Sequence, residues 1–311
     1  MILIQKYESA KAYEWDTFVD TSKNGTFMLK RGYMDYHADR FEDYSLMFYN
    51  DEKLVALLPA SIHGSELRSH GGLTYGGFVT NLHVTVQIML QVFETLKEYM
   101  SQNKITSLLY KRIPAIYYTY PSDEDLYALF RNDANLIRRD ISSSIYMADK
   151  VHFTERRRRG VKKAQKEGLE IRESHDYKQY IALLTQILSK YHNATPVHTA
   201  AELELLAGRF PENIKLYAAF KEDIMLAGVV IYETNKVAHT QYIANSDEGR
   251  LCGALDAVMD FLINQCYSEK EYFDFGISTE KEGRYLNEGL ITQKQEFGGR
   301  AVVYDFYKIE I

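Results

Sequence analysis

The stretch DEGRLCGALDAV, residues 247–258, places a polar, glycine-bearing turn directly before an apolar-periodic run. In that run, apolar residues recur at the three- and four-residue spacing of one helix face: Leu255, Val258, Met259, Leu262 and Cys266. Gly253 therefore falls near the first turn of a predicted helix, where unpaired backbone N–H groups and the positive dipole end attract anions such as phosphate. An ordinary loop-to-helix junction is the alternative interpretation.

A second stretch, ERRRRGVKKAQKEG at 155–168, holds four arginines and three lysines against two glutamates, in a chain whose net charge is -6. One interpretation is a solvated helix face, which is the usual fate of a run of charges. The other is a phosphate-binding patch for a nucleotide, a nucleotide-sugar or RNA, with Arg157 and Arg158 among its ligands. The sequence leaves both interpretations open.

A third stretch, RSHGGLTYGGF at 68–78, holds four glycines with His70 and Tyr75 between them. Glycine lets the backbone approach a ligand closely, so the segment could present these two polar side chains to a bound molecule. A tight, strained turn explains the glycines equally well.

Length and composition exclude several classes of protein. The 311 residues exceed the usual single core and indicate two domains. The acidic balance argues against a protein that coats nucleic acid. No run reaches the roughly 20 apolar residues that span a bilayer, and the start MILIQKYES is too short and too soon charged for a signal peptide, so we expect a cytoplasmic protein.

The remaining chemical motifs are sparse. Cys252 and Cys266 lie in or beside one predicted helix, which argues against a disulfide between them. Neither cysteine has the spacing of a metal ligand, so we expect no metal site. Neither a Ser-His-Asp order nor a dinucleotide-binding fingerprint stands out.

The elements that must position these residues are written twice along the chain. Residues 44–77 have the pattern of three strands with polar turns, and residues 214–249 repeat it, with NDEKLVAL (50–57) facing KEDIMLAG (221–228). Each meander follows a predicted helix and precedes an amphipathic helix and a short apolar strand. The pattern favours a duplication over chance repetition, with an N-terminal unit at 1–150 and a C-terminal unit at 151–311.

The turn resembles the signature of the acyl-CoA N-acyltransferase (GNAT) fold: Arg or Gln, two residues, Gly, one residue, then Gly or Ala. Arg250 and Gly253 match its first half, and Leu255 stands where the last small residue is expected. A tandem pair of such units, with a basic segment opening the second, is similar to the FemAB and BioF2-like acyltransferases. The tail GLITQKQEFGG (289–299) is similar to their closing pattern, with Gln293 in place of a Phe.

This resemblance covers nearly the whole chain. It implies an α+β fold of two tandem GNAT-like units, each a mixed, mostly antiparallel sheet flanked by helices. It also implies transfer of an acyl group from acyl-CoA, with acetyl-CoA as the expected donor. The pantetheine arm and pyrophosphate of that donor would be held by backbone N–H groups and one guanidinium: Ala244, Asn245, Arg250, Gly253 and Ala254. The N-terminal unit would line the acceptor side, with His63, His70 and Tyr75 as candidates.

Acyl transfer needs a neutral amine, a donor carbonyl within reach and a positive group where the oxyanion develops. With the tail resemblance, Lys294 becomes the candidate for stabilising the oxyanion or gripping a donor phosphate, although a surface lysine is the alternative. Asp274 could accept the proton of the amine or cap a turn before Gly276. Tyr242 could protonate a leaving thiolate or merely pack.

We therefore expect an enzyme that acylates an amino group, most simply that of an amino sugar in a polysaccharide or cell-envelope precursor. Its partners would be a small-molecule or nucleotide-sugar acceptor. The first alternative is a FemAB-type peptidyl ligase that takes its donor from charged tRNA. The second is an inactive tandem domain that binds a nucleotide-sugar or a partner enzyme, an idea favoured by Leu255 and Gln293.

Overall fold

The computed structural model of the protein describes residues 1–192 and 194–311, which form two compact units. The first unit contains residues 1–140, 279–285 and 303–311, and the second contains residues 141–278 and 286–302. The boundary expected near residue 150 thus lies at 140/141. The first unit also takes in two later segments, because residues 306–310 pair with a strand of that unit.

The helices and strands up to residue 131 are β1 (Ile2–Lys6), α1 (Ala12–Thr21), α2 (Arg31–Met34), β2 (Leu46–Asn50), β3 (Lys53–Leu58), β4 (Ser61–His63), β5 (Glu66–Arg68), β6 (Val79–Thr80), α3 (Val86–Gln102), β7 (Ser107–Lys111) and α4 (Glu124–Arg131). From there to residue 252 they are β8 (Asn135–Tyr146), α5 (Glu155–Lys166), β9 (Glu170–Ser174), α6 (Tyr177–His192), α7 (Ala200–Arg209), β10 (Ile214–Lys221), β11 (Ile224–Glu233), β12 (Val237–Asn245) and α8 (Asp247–Cys252). The last ones are α9 (Ala254–Phe261), β13 (Tyr272–Ile277), β14 (Thr279–Glu280), β15 (Tyr285–Leu286), α10 (Glu288–Glu296) and β16 (Arg300–Glu310).

In the first unit, β1, β2, β3 and β6 form one antiparallel sheet. The hairpin of β4 and β5 does not continue this sheet as the third strand of the expected meander. Instead, β5 pairs in parallel with β7, which pairs antiparallel with residues 306–310. Helix α3 covers the core with the apolar face that its spacing predicts: Met89, Val92, Phe93, Leu96 and Met100.

The glycine-rich segment 68–78 wraps around a buried lysine of β7. The Nζ atom of Lys111 donates hydrogen bonds to the backbone carbonyls of His70, Gly71 and Leu73 at 3.0, 3.0 and 2.9 Å. The His70 and Tyr75 side chains are 3% and 2% exposed, and the Tyr75 hydroxyl donates to Thr26 at 3.2 Å. Their role in an acceptor site stays a prediction, because this burial is what packing alone would produce.

In the second unit the strand order is β8, β13, β12, β11, β10, β9. All neighbours are antiparallel except β12 and β13, which run parallel. The sheet is therefore mixed and mostly antiparallel, and it contains the predicted second meander as β10 to β12. Helix α9 is the helix predicted behind Gly253, and it buries its apolar face in the core on one side of the sheet. Among residues 1–192 and 194–311, no helix has the length and apolarity that crossing a bilayer requires.

The two faces of this sheet carry different residues, because side chains alternate along a strand. Ala238, Phe273 and Phe275 point into the core under α9. The opposite face carries Gly228 of β11, where a side chain would overlap the ring of Tyr180 in α6. Helix α6 therefore packs closely against that second face.

Candidate active site

The turn at Gly253 joins two helices. Ser246 caps the start of α8 by accepting a hydrogen bond from the Gly249 N–H, and Gly253 has a φ of 79° between the end of α8 and the start of α9. A Cβ atom on Gly253 would overlap the carbonyl oxygen of Gly160 in α5, and one on Gly160 would overlap the Asp256 carboxylate. The left-handed conformation of Gly253 thus bends the chain at this turn. The close approach of α5 leaves no room for a side chain at Gly253.

We predict that Gly253→Ala lowers the free energy of unfolding by about 2–5 kcal/mol, because left-handed strain adds to a clash with backbone that cannot rotate away. Gly168→Ala is the matched control, since Gly168 has a φ of 69° and open space around its Cα. It should cost only the strain of about 1–2 kcal/mol. Urea denaturation of both variants measures the difference. Equal losses would show that the α5 approach is not tight.

The turn opens on a cavity of about 920 Å³ within the second unit. Its walls come from α5, the end of β12, the α8–α9 junction and α10. Five residues predicted from the sequence line it together: Arg157, Asn245, Arg250, Gly253 and Lys294. Its size falls in the range of small-molecule sites.

The cavity wall carries more positive than negative charge. Five basic residues line it, Arg156, Arg157, Lys163, Arg250 and Lys294, against three acidic ones, Asp256, Glu288 and Glu296. The Arg250 guanidinium is exposed and lies 4.4 Å from the centre of the Tyr191 ring. The cavity therefore offers an anion an exposed guanidinium beside a helix junction.

The basic segment divides into a buried and an exposed part. Arg157 is 8% exposed and bridges Asp256 and Glu296 at 2.8 and 2.7 Å, with its guanidinium 4.5 Å from the Phe297 ring centre. Arg158 is exposed and pairs with Glu155 at 2.8 Å. Arg157 thus ties α5 to α9 and α10, and Arg158 lies on the exposed side of α5. A ligand-binding role for either residue stays a prediction.

Lys294 is buried rather than on the surface, with 4% of its area exposed. Its Nζ atom donates to the carbonyls of Gly276 and Ile277 at 2.8 and 2.6 Å, which leaves one of its three N–H groups outside the hydrogen bonds among the described residues. Burial lowers the pKa of Lys294 to about 8, although the nearby Asp274 carboxylate acts in the opposite direction. The site therefore holds a desolvated ammonium that loses its charge as the pH rises through about 8.

Strands β12 and β13 part beside this lysine. They pair in parallel only from Val237 with Tyr272 to His239 with Asp274. Beyond that point β12 runs on through residues 240–245 and β13 through residues 275–277 without pairing to each other. The Lys294 ammonium takes the Gly276 and Ile277 carbonyls of β13, so the gap leaves the facing backbone groups of β12 without a strand partner among the described residues. Ala244, a predicted donor-binding residue, lies in this part of β12 at 1% exposure.

At the mouth of this gap, on the face away from α9, lies a cluster around Asp274. The carboxylate is fully buried and accepts hydrogen bonds at 2.7 Å from Ser142 Oγ, Ser144 Oγ and His239 Nδ1. Burial alone would raise the pKa of Asp274, but the hydrogen bond and charge of His239 and the two hydroxyls hold it below its ordinary value. Such a saturated carboxylate is poorly placed to take a proton from a substrate.

Tyr242 lies on the same face of β12 and forms a 2.5 Å hydrogen bond with His198 Nδ1. Burial raises the pKa of Tyr242 to about 12. Ala254, the last of the predicted donor-binding residues, is fully buried at the start of α9. Among the described residues, no group of three or more acidic, His or Cys side chains could hold a metal ion.

Sequence reasoning missed His239 and His198. The alternation along β12 could have pointed to His239, because it lies on the side of the strand opposite the core residue Ala238. It could not pair His239 with Asp274, which is 35 residues away. The partnership exists only because β12 and β13 are neighbours in the sheet.

Comparison with known proteins shows the fold. No protein-family model matches the sequence. No curated protein matches it either. The crystal structure of FemX superposes with a TM-score of 0.69 at 12% identity, over 99% of this chain and 97% of that one. L-PGS from Bacillus licheniformis gives 0.63 at 11% identity over 98% and 93%.

A tandem GNAT protein from the clavulanic acid biosynthesis pathway gives a TM-score of 0.53 at 8% identity, over 100% of this chain and 98% of that one. The chain therefore has the FemAB-like tandem GNAT fold, as the turn and the tail predicted. At these identities the likeness extends to the fold alone.

Proposed function

We propose that the protein is an acyltransferase, and that its second unit moves an acyl group from acyl-CoA to the amine of an amino sugar. The observation that carries this proposal is the position of Lys294, a buried ammonium with an uncommitted N–H at the wall of a positively biased cavity. The tandem GNAT fold supports it, because that fold is named for N-acetyltransferases. The amino sugar comes from the family resemblance.

Each part of the donor has a matching part of the site. Arg250 and the α8–α9 junction carry the positive charge and backbone donors that suit a pyrophosphate. The gap between β12 and β13 offers unpaired backbone groups to the amide-bearing pantetheine arm. The ammonium of Lys294 would stabilise negative charge on the carbonyl oxygen as the amine attacks, in a site where burial strengthens that interaction.

An aminoacyl-tRNA donor is the second candidate. It is favoured by the exposed side of α5, which carries six basic residues: Arg156, Arg158, Arg159, Lys162, Lys163 and Lys166. Phosphates of a polyanion would bind such a surface in a salt-dependent way. A domain that binds but does not react is the third candidate.

Titration with acetyl-CoA separates these candidates. We expect acetyl-CoA to raise the melting temperature of the wild type, because a ligand of the native state stabilises it by mass action. Arg250→Ala should lower the affinity for acetyl-CoA by about tenfold to a hundredfold, as loss of a charged hydrogen bond does. Arg131→Ala, which removes an exposed arginine of α4 in the first unit, is the matched control and should bind normally.

The other outcomes decide between the alternatives. If aminoacylated RNA raises the melting temperature and acetyl-CoA does not, the donor in this proposal would be aminoacyl-tRNA rather than acyl-CoA. Binding of acetyl-CoA without release of free CoA in the presence of any amino sugar would assign the chain to the binding modules.

A further inference from the structure

His239 is a buried histidine with one ring nitrogen committed. It is 7% exposed, and its Nδ1 atom lies 2.7 Å from the Asp274 carboxylate. Its Nε2 atom takes part in none of the hydrogen bonds found among residues 1–192 and 194–311. At 7% exposure the ring still reaches the surface, so this nitrogen is accessible to a ligand from outside the chain.

The surroundings of Asp274 fix the tautomer of His239. Two serine hydroxyls donate to the same carboxylate at 2.7 Å, and the Gly276 N–H approaches it at 3.3 Å. An ionised carboxylate surrounded by donors accepts a hydrogen bond from Nδ1–H, so the lone pair of the neutral ring lies on Nε2. The arrangement orients one basic nitrogen away from the carboxylate.

Gly276 connects this nitrogen to Lys294. Its carbonyl accepts a hydrogen bond from Lys294 Nζ at 2.8 Å, while a Cβ atom on Gly276 would lie 3.9 Å from His239 Nε2. Gly276 has a φ of 71°, so the left-handed backbone and the missing side chain leave the edge of the imidazole open. One residue of β13 thus separates a base from a cation at the point where the strands part.

We infer that His239 is the general base of the acyl transfer and that Asp274 is its positioning residue. This inference rests on the proposed acyl-CoA donor. The amine nitrogen attacks the thioester carbonyl carbon and forms the C–N bond, while the carbonyl π electrons move to the oxygen beside Lys294. Nε2 takes the proton that the nitrogen releases. As the carbonyl re-forms, the C–S bond breaks, and the thiolate leaves with the electron pair and receives the proton from the imidazolium.

Bromoacetyl-CoA tests this placement without knowledge of the acceptor. It carries an electrophilic carbon at the position of the transferred acyl group. A nucleophile next to that carbon displaces bromide and forms a covalent bond, which peptide mass spectrometry locates. We expect one adduct on His239 Nε2, blocked by excess acetyl-CoA and absent in His239→Gln. Asp274→Asn should slow labelling at least tenfold while circular dichroism stays native, because the amide favours the wrong tautomer.

Controls separate this inference from the proposed function. His83→Gln removes an exposed histidine of the first unit and should label like the wild type. Bromoacetamide at the same concentration reports adventitious reaction at Cys266, which is exposed. Two outcomes would overturn the role of His239 and leave the donor proposal intact. One is labelling of another residue that acetyl-CoA blocks, and the other is binding of the reagent without formation of an adduct. Failure of acetyl-CoA to bind would remove both.

A kinetic measurement adds a readout that a purely structural role of His239 would not change. In turnover of acetyl-CoA with glucosamine, His239→Gln should lower kcat by about a hundredfold to ten-thousandfold, as loss of a general base does, with the Kd of acetyl-CoA unchanged. Added imidazole should restore part of the rate in His239→Ala. A wild-type kcat in His239→Gln would exclude His239 as the general base.

Discussion

Lys294→Ala lowers turnover by about a hundredfold and leaves the affinity for acetyl-CoA close to that of the wild type, if its ammonium stabilises charge that develops only in the transition state. Removing a group that acts only in the transition state lowers kcat and kcat/KM by the same factor. Steady-state kinetics with glucosamine as acceptor, together with calorimetric titration of acetyl-CoA, measure the two quantities. A lysine that only grips a phosphate would lose donor affinity and keep its turnover at saturation.

The pH dependence sharpens this prediction. Burial lowers the pKa of Lys294 to about 8, so the ammonium is present below that pH and is lost as the pH rises through it. We therefore expect a falling limb of kcat above pH 8 in the wild type. Lys294→Arg retains its charge to far higher pH, so the variant should lack that limb even if its rate is reduced by the different shape of the guanidinium.

Lys111 provides an internal control for the same experiment. Burial also lowers its pKa to about 8, helped by Arg138 and Arg68, but it lies in the first unit around the glycine-rich segment. If the falling limb came from Lys111, it would persist in Lys294→Arg. Wild-type rates in Lys294→Ala would remove Lys294 from the mechanism altogether.

Arg157→Ala is expected to lower the stability of the fold strongly. It would leave the half-buried carboxylates of Asp256 and Glu296 without their shared cation, and it would remove the packing of the guanidinium on Phe297. Breaking a buried ion pair from one side costs about 3–5 kcal/mol. We expect a loss of that size in the free energy of unfolding, measured in urea at pH 7.

Arg158→Ala is the matched control, because it removes a neighbouring arginine of the same helix that is paired only at the surface with Glu155. Its effect should stay within about 0.5 kcal/mol. Similar losses in the two variants would show that the Asp256–Arg157–Glu296 bridge does not hold α5 in place. Weakened acetyl-CoA binding in a stable Arg157→Ala would return Arg157 to the ligand site that the sequence first indicated.

Part of the site was predictable because its signals are local. The helix behind Gly253 follows from apolar spacing, whereas the left-handed conformation of Gly253 was not predicted, because residues 247–252 form helix α8 rather than the expected turn. The clustering of Arg250, Gly253 and Lys294 around one cavity came from a resemblance in which the tail and the turn belong together. The different fates of Arg157 and Arg158 could not be predicted, because adjacent residues of a helix point in different directions and only packing decides which is buried.

The sequence by itself determined the meander of the second unit and the helix behind Gly253, since periodicity and turn residues act between near neighbours in the chain. The tertiary structure alone decided that Asp274 is sealed by His239, Ser142 and Ser144, and that Lys294 is buried against Gly276 and Ile277. These partners lie on different strands and a distant helix. Their meeting depends on strand pairing and on the gap between β12 and β13, which no spacing along one segment encodes.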